Sequence, residues 1–137
     1  DKVRFNLAIS LHSASDFKRN SLMPINKKIN LADLKESIRY FYEKTGSRIT
    51  YEYILFNGLN DKIEDAQSLI KFAKISPCKI NLIEYNNIDY VEYKKSKHKV
   101  VENFIAYLES HNMIVNLRRS KGKDIAAACG QLVNKLE

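Results

Sequence analysis

A cysteine near the end of the sequence, Cys129, has a setting that fits two kinds of chemistry. It lies in KGKDIAAACGQL (121–132), where a basic, glycine-containing approach leads into small residues. Ile125, Leu132 and Leu136 share a helical stripe with it, which favours core packing. Nearby arginine and lysine residues would instead favour the thiolate, which is the reactive form of a cysteine. A cysteine hydrolase would also need a histidine and an orienting acid or amide, so spacing alone leaves both interpretations open.

Polar residues also follow two predicted strands. His12 closes the first strand directly after Ser10 and Leu11, and Asn86 and Asn87 follow the third strand. From pattern alone, a histidine satisfied by a loop carbonyl and asparagines that stabilise a turn are the more common arrangements. The functional alternative is a set of polar contacts to a ligand held at the strand ends.

A basic run leads from the last predicted strand toward the cysteine. It comprises Arg118, Arg119, Lys121 and Lys123. Such a run is more often a solvated loop than a phosphate-binding site, but its position at a strand end shifts the balance toward phosphate. The whole chain carries a net charge of +7, from 23 Lys and Arg against 16 Asp and Glu, which favours a polyanionic partner.

The composition is that of a globular domain. The 137 residues are 45% hydrophobic and 28% charged, and no apolar run is long enough to cross a bilayer. The two cysteines, Cys78 and Cys129, are too few for a disulfide scaffold or for a cysteine-rich iron–sulfur site, so a reducing cytoplasm is the simpler location. Cys78 is interpreted as a small core residue. The sequence does not begin with Met and soon enters an apolar run, which suggests a piece of a longer protein.

Strand and helix patterns alternate along the chain. The predicted strands are 5–12, 48–56, 78–85 and 113–119. The first predicted helix begins at the cap Asn30 and stops at Gly46. The second begins at the cap Asn60 or Asp61 and stops at Pro77. The third covers 100–108, and residues 124–136 fit a short fourth helix.

This alternation is typical of a parallel α/β sheet. Four strands are too few for a closed (β/α)₈ barrel, which leaves half a barrel or a small open sheet. In either case, a functional site is expected at the carboxyl ends of the strands. Residues 10–13, 85–87 and 118–123 are therefore expected to converge on one rim, with Cys129 following the last of them.

The sequence resembles the C-terminal part of the radical S-adenosylmethionine (SAM) RNA methyltransferases of the RlmN/Cfr family, and is closer to RlmN. The matching segments are LAISLHSAS (7–15), LMPINKK (22–28), YEYILFNGLND (51–61), PCKINLIEYN (77–86) and DIAAACGQL (124–132). They occur in the order and at about the spacings of the family, and the last of them is the most specific.

The resemblance implies a partial (β/α) barrel and methylation of C2 of an adenosine in 23S ribosomal RNA, and in some members of tRNA. By position, Ser10, Leu11 and His12 match a strand end that contacts SAM, and Asn86 matches a further SAM contact. Cys129 matches the cysteine that is methylated and then delivers the carbon to RNA. The basic run before it becomes a candidate RNA contact.

The family's chemistry explains the need for a cysteine. C2 of adenine is an electron-poor carbon that cannot attack the SAM methyl group. In the family's scheme one SAM methylates the cysteine, and a second SAM, cleaved at a [4Fe-4S] cluster, yields a 5′-deoxyadenosyl radical that removes hydrogen from that methyl group. The resulting carbon radical adds to C2, and a second cysteine resolves the protein–RNA link.

The sequence lacks the cluster motif CxxxCxxC. The resemblance therefore implies that the cluster ligands and the resolving cysteine precede residue 1. Residues 1–137 would then be the C-terminal portion of the catalytic domain, inactive alone, and the full-length enzyme would also need an electron donor for its cluster. The chain departs from the family at Asn87, where Pro is common, and at SKGKDIAA, which replaces an Arg-Gly-Asp-Asp-like approach. Two alternatives remain, a Cfr-like C8 methyltransferase and a noncatalytic basic RNA-binding module.

Overall fold

The computed structural model describes residues 6–85 and 93–119. They form a four-stranded parallel sheet whose strands follow chain order. The strands are β1 (Leu7–Ser10), β2 (Ile49–Leu55), β3 (Cys78–Glu84) and β4 (Val115–Arg119). All four carboxyl ends therefore lie at one edge of the sheet, as the sequence predicted.

Four α-helices connect these strands. They are α1 (Asp16–Leu22), α2 (Leu31–Thr45), α3 (Ile63–Ala73) and α4 (His98–Ser110), and a short 3₁₀ helix (Pro24–Lys27) follows α1. The sequence analysis predicted α2, α3 and α4 but missed α1. This seven-residue helix buries only Arg19 and Leu22, so it has no apolar stripe to reveal it.

The caps of α2 are those that the sequence predicted. The Asn30 side chain accepts a hydrogen bond from the Asp33 N–H at 2.9 Å, and the helix stops at Gly46, whose φ of 66° suits glycine. The predicted cap of α3 is wrong. Lys62 occupies that position. The Asn60 side chain binds the carboxyl edge of the sheet instead, and the Asp61 side chain binds the Ser96 hydroxyl.

The main core lies on one face of the sheet. Alternate strand residues point to this face, where Tyr51, Tyr53 and Leu82 pack against α2, α3 and α4 through side chains such as Ile38, Leu69 and Phe104. A smaller cluster lies on the opposite face near the carboxyl edge. Its buried members are Leu22, Met23, Ile54, Phe56, Ile83 and Tyr85.

The rest of that opposite face is polar. One register row across it consists of Ser10, Glu52, Asn81 and Asn116, all of them half-buried or exposed. A doubly wound sheet carries helices on both faces and reverses its strand order. Here α2, α3 and α4 pack on one face and the strand order never reverses, which is the arrangement of a (β/α) barrel segment. The predicted α/β partial barrel is confirmed.

Candidate functional site

The turn that follows β1 is the centre of the candidate site. The N–H groups of Leu11 and His12 both donate to the carbonyl oxygen of Glu52, at 2.9 and 3.4 Å. His12 then adopts a φ of 57°, a left-handed conformation that is uncommon for a residue other than glycine. β1 consequently ends at Ser10, and the chain leaves the edge of β2.

The three predicted SAM contacts in this turn have different surroundings. Ser10 is exposed on the polar face of the sheet, whereas Leu11 is fully buried in the main core. The N–H of Leu11 is used by Glu52, and its carbonyl accepts from Ser13 at 2.7 Å and from Arg19 at 3.1 Å. Leu11 therefore anchors the turn, and any polar contact to a ligand must come from its neighbours.

His12 is held as a neutral imidazole. Its Nδ1 accepts a hydrogen bond from the Ile54 N–H at 3.0 Å, which places the ring proton on Nε2. Burial, reinforced by the nearby positive charge of Arg19, lowers the pKa of His12 from 6.5 to about 4. Nε2–H makes no hydrogen bond to any residue within 6–85 or 93–119.

A buried arginine supports the turn from α1. Arg19 donates through Nε to the Leu11 carbonyl at 3.1 Å, and through Nη2 to the Ser10 carbonyl at 3.3 Å. Its Nη1 donates to Asn26 Oδ1 at 2.5 Å, and Asn26 in turn donates to Asp16 at 2.9 Å. Sequence reasoning missed Arg19 and Asn26 as site residues. The matching segment 22–28, which contains Asn26, was the only signal.

A buried asparagine supports the turn from the other side. Asn60 is fully buried, and its Nδ2 donates to the carbonyls of His12 at 2.8 Å and Ile54 at 2.7 Å. Its Oδ1 accepts from the Phe56 N–H at 2.8 Å, and its own carbonyl accepts from the Tyr53 hydroxyl at 2.7 Å. The side chain thus uses both donors and its acceptor on the carboxyl edge of the sheet.

The loop after β2 also fastens the segment that precedes α4. Asp61 accepts from the Gly58 N–H at 3.1 Å and from the Ser96 hydroxyl at 2.8 Å. Beside this contact, Lys95 forms an ion pair with Glu84 at 2.7 Å. The ends of β2 and β3 are therefore joined through the loop at 93–97.

The predicted basic run does not form a single surface where the structure describes it. Arg118 pairs in register with Ile83 and Arg119 with Glu84, so the two arginines lie on opposite faces of β4. Arg118 shares the polar face with Ser10, and its Nη2 lies 3.5 Å from Glu52 Oε2. Glu52, which the sequence analysis did not select, therefore links the β1 and β4 sides of this face.

Other predicted site residues lie outside the described residues. These are Asn86, Lys121, Lys123 and Cys129, together with Asn87 and the predicted helix over 124–136. Cys78 lies within them, where its Sγ is 3.8 Å from the Ala73 carbonyl, and burial raises the pKa of its thiol to about 11. It is therefore a protonated thiol packed beside the main core, as predicted.

Residues 6–85 and 93–119 contain neither a cluster of metal-binding side chains nor a membrane-spanning helix. No group of three or more His, Cys, Asp or Glu side chains is placed to hold a metal ion. None of the four helices has the length and hydropathy needed to span a bilayer.

Comparison with known proteins identifies close relatives. No protein-family model matches the chain. Over 135 residues it is 53% identical to a protein of Cytophaga hutchinsonii and 49% identical to one of Flavobacterium psychrophilum, each described as a probable dual-specificity RNA methyltransferase RlmN. These matches cover 98% of this chain but only 37% and 39% of the relatives, so the chain spans well under half of their length.

A solved structure agrees with these sequence matches. The fold is similar to that of a radical SAM methyltransferase from Sphaerobacter thermophilus, with a TM-score of 0.83 and 33% identity over 92% of this chain and 37% of that protein. The predicted cofactors, SAM and a [4Fe-4S] cluster, are those of a radical SAM methyltransferase, which is how this relative is described. In sequence over nearly its whole length, and in fold, the chain belongs to the RlmN family.

Proposed function

We propose that residues 1–137 are the C-terminal portion of a radical SAM methyltransferase that methylates C2 of an adenosine in 23S rRNA, and of an adenosine in tRNA, through Cys129. The observation that carries the proposal is the turn at Ser10–His12, which is fixed at the carboxyl edge of a one-sided parallel sheet and borders its polar face. The RlmN names of the relatives support the C2 position, and their dual specificity supports two RNA substrates.

The turn fits SAM as a ligand. Ser10 is exposed and stands in register with Glu52, whose half-buried carboxylate lies 3.5 Å from Arg118 and still adds negative charge to this face, which suits the positively charged sulfonium. His12 is uncharged and offers Nε2–H, so it can hydrogen-bond a polar group of SAM without repelling its positive charge. In this proposal Asn86 adds a further contact, and Leu11 keeps the turn in place.

SAM supplies the methyl group and, when it is cleaved at the cluster, the radical. In this proposal, the task of this chain is to hold SAM near Cys129 and to keep other nucleophiles, such as water, away from it. Small residues around Cys129 would let both SAM and an RNA base approach its sulfur. Cys129 is the proposed methyl carrier because of the match of DIAAACGQL to the family segment.

The described residues do not fit the cluster itself. Cys78 packs beside the main core on the side of the sheet where the helices lie, away from Ser10, and the raised pKa of its thiol keeps it protonated. We therefore assign no cluster step to these residues. The cluster ligands, the resolving cysteine and the docking site of the electron donor belong to the rest of the proposed full-length enzyme.

The RNA contacts are proposed on charge. Arg118, Arg119, Lys121 and Lys123 precede Cys129 in sequence, and the net charge of +7 suits a phosphate backbone. Of the two described members of this run, Arg118 and Arg119, it is Arg118 that lies on the polar face. An enzyme acting on ribosomal and transfer RNA would work in the cytoplasm, and we propose that location.

The proposal is tested with the full-length protein carrying its cluster. It is incubated with SAM, a reductant and unmethylated 23S rRNA or tRNA, and the digested nucleosides are separated by liquid chromatography and mass spectrometry. We expect 2-methyladenosine, loss of product in Cys129→Ala, and a methyl group on the Cys129 peptide of the wild type. Cys78→Ala is the matched control and should keep full activity.

The other outcomes are distinct. 8-Methyladenosine would identify a Cfr-like enzyme. Full activity in Cys129→Ala would refute the cysteine-linked route, and RNA binding without any methyl transfer would favour a noncatalytic module.

A further inference from the structure

We propose that Asn60 is a positioning residue for SAM: it holds the His12 turn so that Ser10 and the His12 Nε2–H face the ligand. This rests on the proposed function, because it assumes that the turn contacts SAM. Asn60 touches no ligand itself, since it is fully buried beneath the turn.

The need for such a residue follows from the way β1 ends. β1 pairs with β2 only as far as Ser10 and Glu52. The backbone N–H and carbonyl groups that follow Glu52 on this edge of β2 therefore have no strand partner. Buried backbone groups without a partner cost free energy, and proteins rarely leave them unpaired. Here the Ile54 N–H donates to His12 Nδ1, whereas the Ile54 carbonyl and the Phe56 N–H bind the Asn60 side chain.

These bonds fix the imidazole at two points. Ile54 binds Nδ1 of the ring, and Asn60 Nδ2 joins the Ile54 carbonyl to the His12 carbonyl. The ring and the backbone of His12 are therefore both tied to Ile54, one directly and the other through Asn60. Because His12 holds a left-handed φ of 57°, a loss of the bond to its carbonyl is expected to release the turn toward a less strained conformation.

An asparagine is required by this arrangement. Two carbonyl acceptors and one N–H donor converge on a single planar group, and only a carboxamide supplies the two donors and one acceptor that they need in so short a side chain. Aspartate would keep the acceptor for the Phe56 N–H but would present a carboxylate to the two carbonyls. Alanine would leave all three groups without partners.

Two neighbours provide matched controls. Asn57 lies on the same loop with an exposed side chain. Its backbone N–H, which a substitution to alanine keeps, donates to the Lys94 carbonyl at 2.8 Å. Ser96 is buried and binds Asp61 at 2.8 Å, so its removal weakens the same loop without touching the His12 turn.

The experiment measures the dissociation constants of SAM by equilibrium dialysis and of 23S rRNA by filter binding, together with the thermal midpoint, for the full-length holoenzyme. For Asn60→Ala we expect SAM to bind about tenfold more weakly or worse, which corresponds to the loss of one or two buried hydrogen bonds. RNA binding should stay unchanged. Asn57→Ala and Ser96→Ala should bind SAM within about twofold of the wild type, although Ser96→Ala should melt earlier.

The outcomes separate the possible errors. Unchanged SAM affinity in Asn60→Ala overturns the inference, and so does an equal loss in Ser96→Ala, because that result would assign the effect to general loop stability. If Asn60→Ala does not fold, the isosteric Asn60→Asp is measured against the same controls and by the same criteria. Failure of the wild type to bind SAM would instead refute the proposed function.

Discussion

The buried imidazole of His12 makes the stability of the strand-end turn depend on pH. In the folded protein its Nδ1 accepts from the Ile54 N–H, and burial together with the charge of Arg19 lowers the pKa of the ring from 6.5 to about 4. Between these two values the unfolded chain binds more protons than the folded one. The stability of the turn is therefore complete above about pH 6.5 and falls as the pH drops toward 4.

The magnitude follows from the difference between the two pKa values. One unit corresponds to about 1.4 kcal/mol. The turn should lose about 1 kcal/mol at pH 6, about 2 kcal/mol at pH 5, and about 3 kcal/mol once the pH is below both values. Protonation of Nδ1 removes the acceptor of the Ile54 N–H, so the loss should be concentrated at the carboxyl end of β2.

Hydrogen–deuterium exchange of full-length protein measures this loss locally. Protection of peptides covering residues 49–56 is converted into an opening free energy at several pH values between 5 and 8. The control is His12→Asn, whose amide oxygen can accept from the same N–H but does not titrate. The difference between wild type and variant should change by about 2 kcal/mol across this range. Parallel curves would refute the reasoning, because they would mean that His12 is not a buried neutral acceptor.

Three further predictions concern the core and the polar face of the sheet. Tyr53→Phe should lower the free energy of unfolding by about 1–2 kcal/mol, because the hydroxyl that binds the Asn60 carbonyl at 2.7 Å is lost. Tyr51→Phe should cost less in the same denaturation assay, since the buried Tyr51 hydroxyl has only a weak interaction with the Ser76 side chain and no hydrogen bond of normal geometry among the described residues; equal costs would contradict this. Cys78 should react with iodoacetamide about a hundredfold more slowly than an ordinary thiol near pH 8, because its pKa is raised to about 11, and rapid labelling of its peptide in native protein would contradict the raised pKa of this partly buried thiol. A double-mutant cycle of Glu52→Gln and Arg118→Gln should give a coupling below about 1 kcal/mol that weakens with salt, since Arg118 is 57% exposed; a much larger coupling would indicate that the pair is shielded from water.

The sheet and its main helices were predictable because they follow from burial. β2 is rich in β-branched and aromatic residues, β3 is a short run with three buried aliphatic residues, and α4 repeats apolar residues at helical spacing, so each pattern reports its own buried face. Chain-order alternation then predicts parallel strands with their carboxyl ends together. The expectation that functional residues follow strand ends needed no more than this.

The support of the site was not predictable by the same route. Asn60 looks like a helix cap because it stands just before a helix, yet its partner His12 lies 48 positions away in the chain. Arg19 lies in a polar stretch that suggests solvent exposure, but it is 5% exposed. Residues of a buried polar network do not recur at a regular spacing in the sequence. They pair through individual hydrogen bonds, whereas apolar residues recur because they share one buried face of a helix or strand. A likeness to a segment of other proteins, 51–61, marked the region of Asn60, and no pattern in the sequence marked Arg19.

The consecutive order of the four strands has a consequence for how the protein folds during synthesis. Each strand pairs with the one that precedes it by a single connection, so the sheet can grow by addition at one edge as the chain leaves the ribosome. We expect β1 and β2 to form the His12 turn before β4 is made. The segment that carries Cys129 follows β4, and it would therefore emerge after the turn proposed to receive SAM has formed.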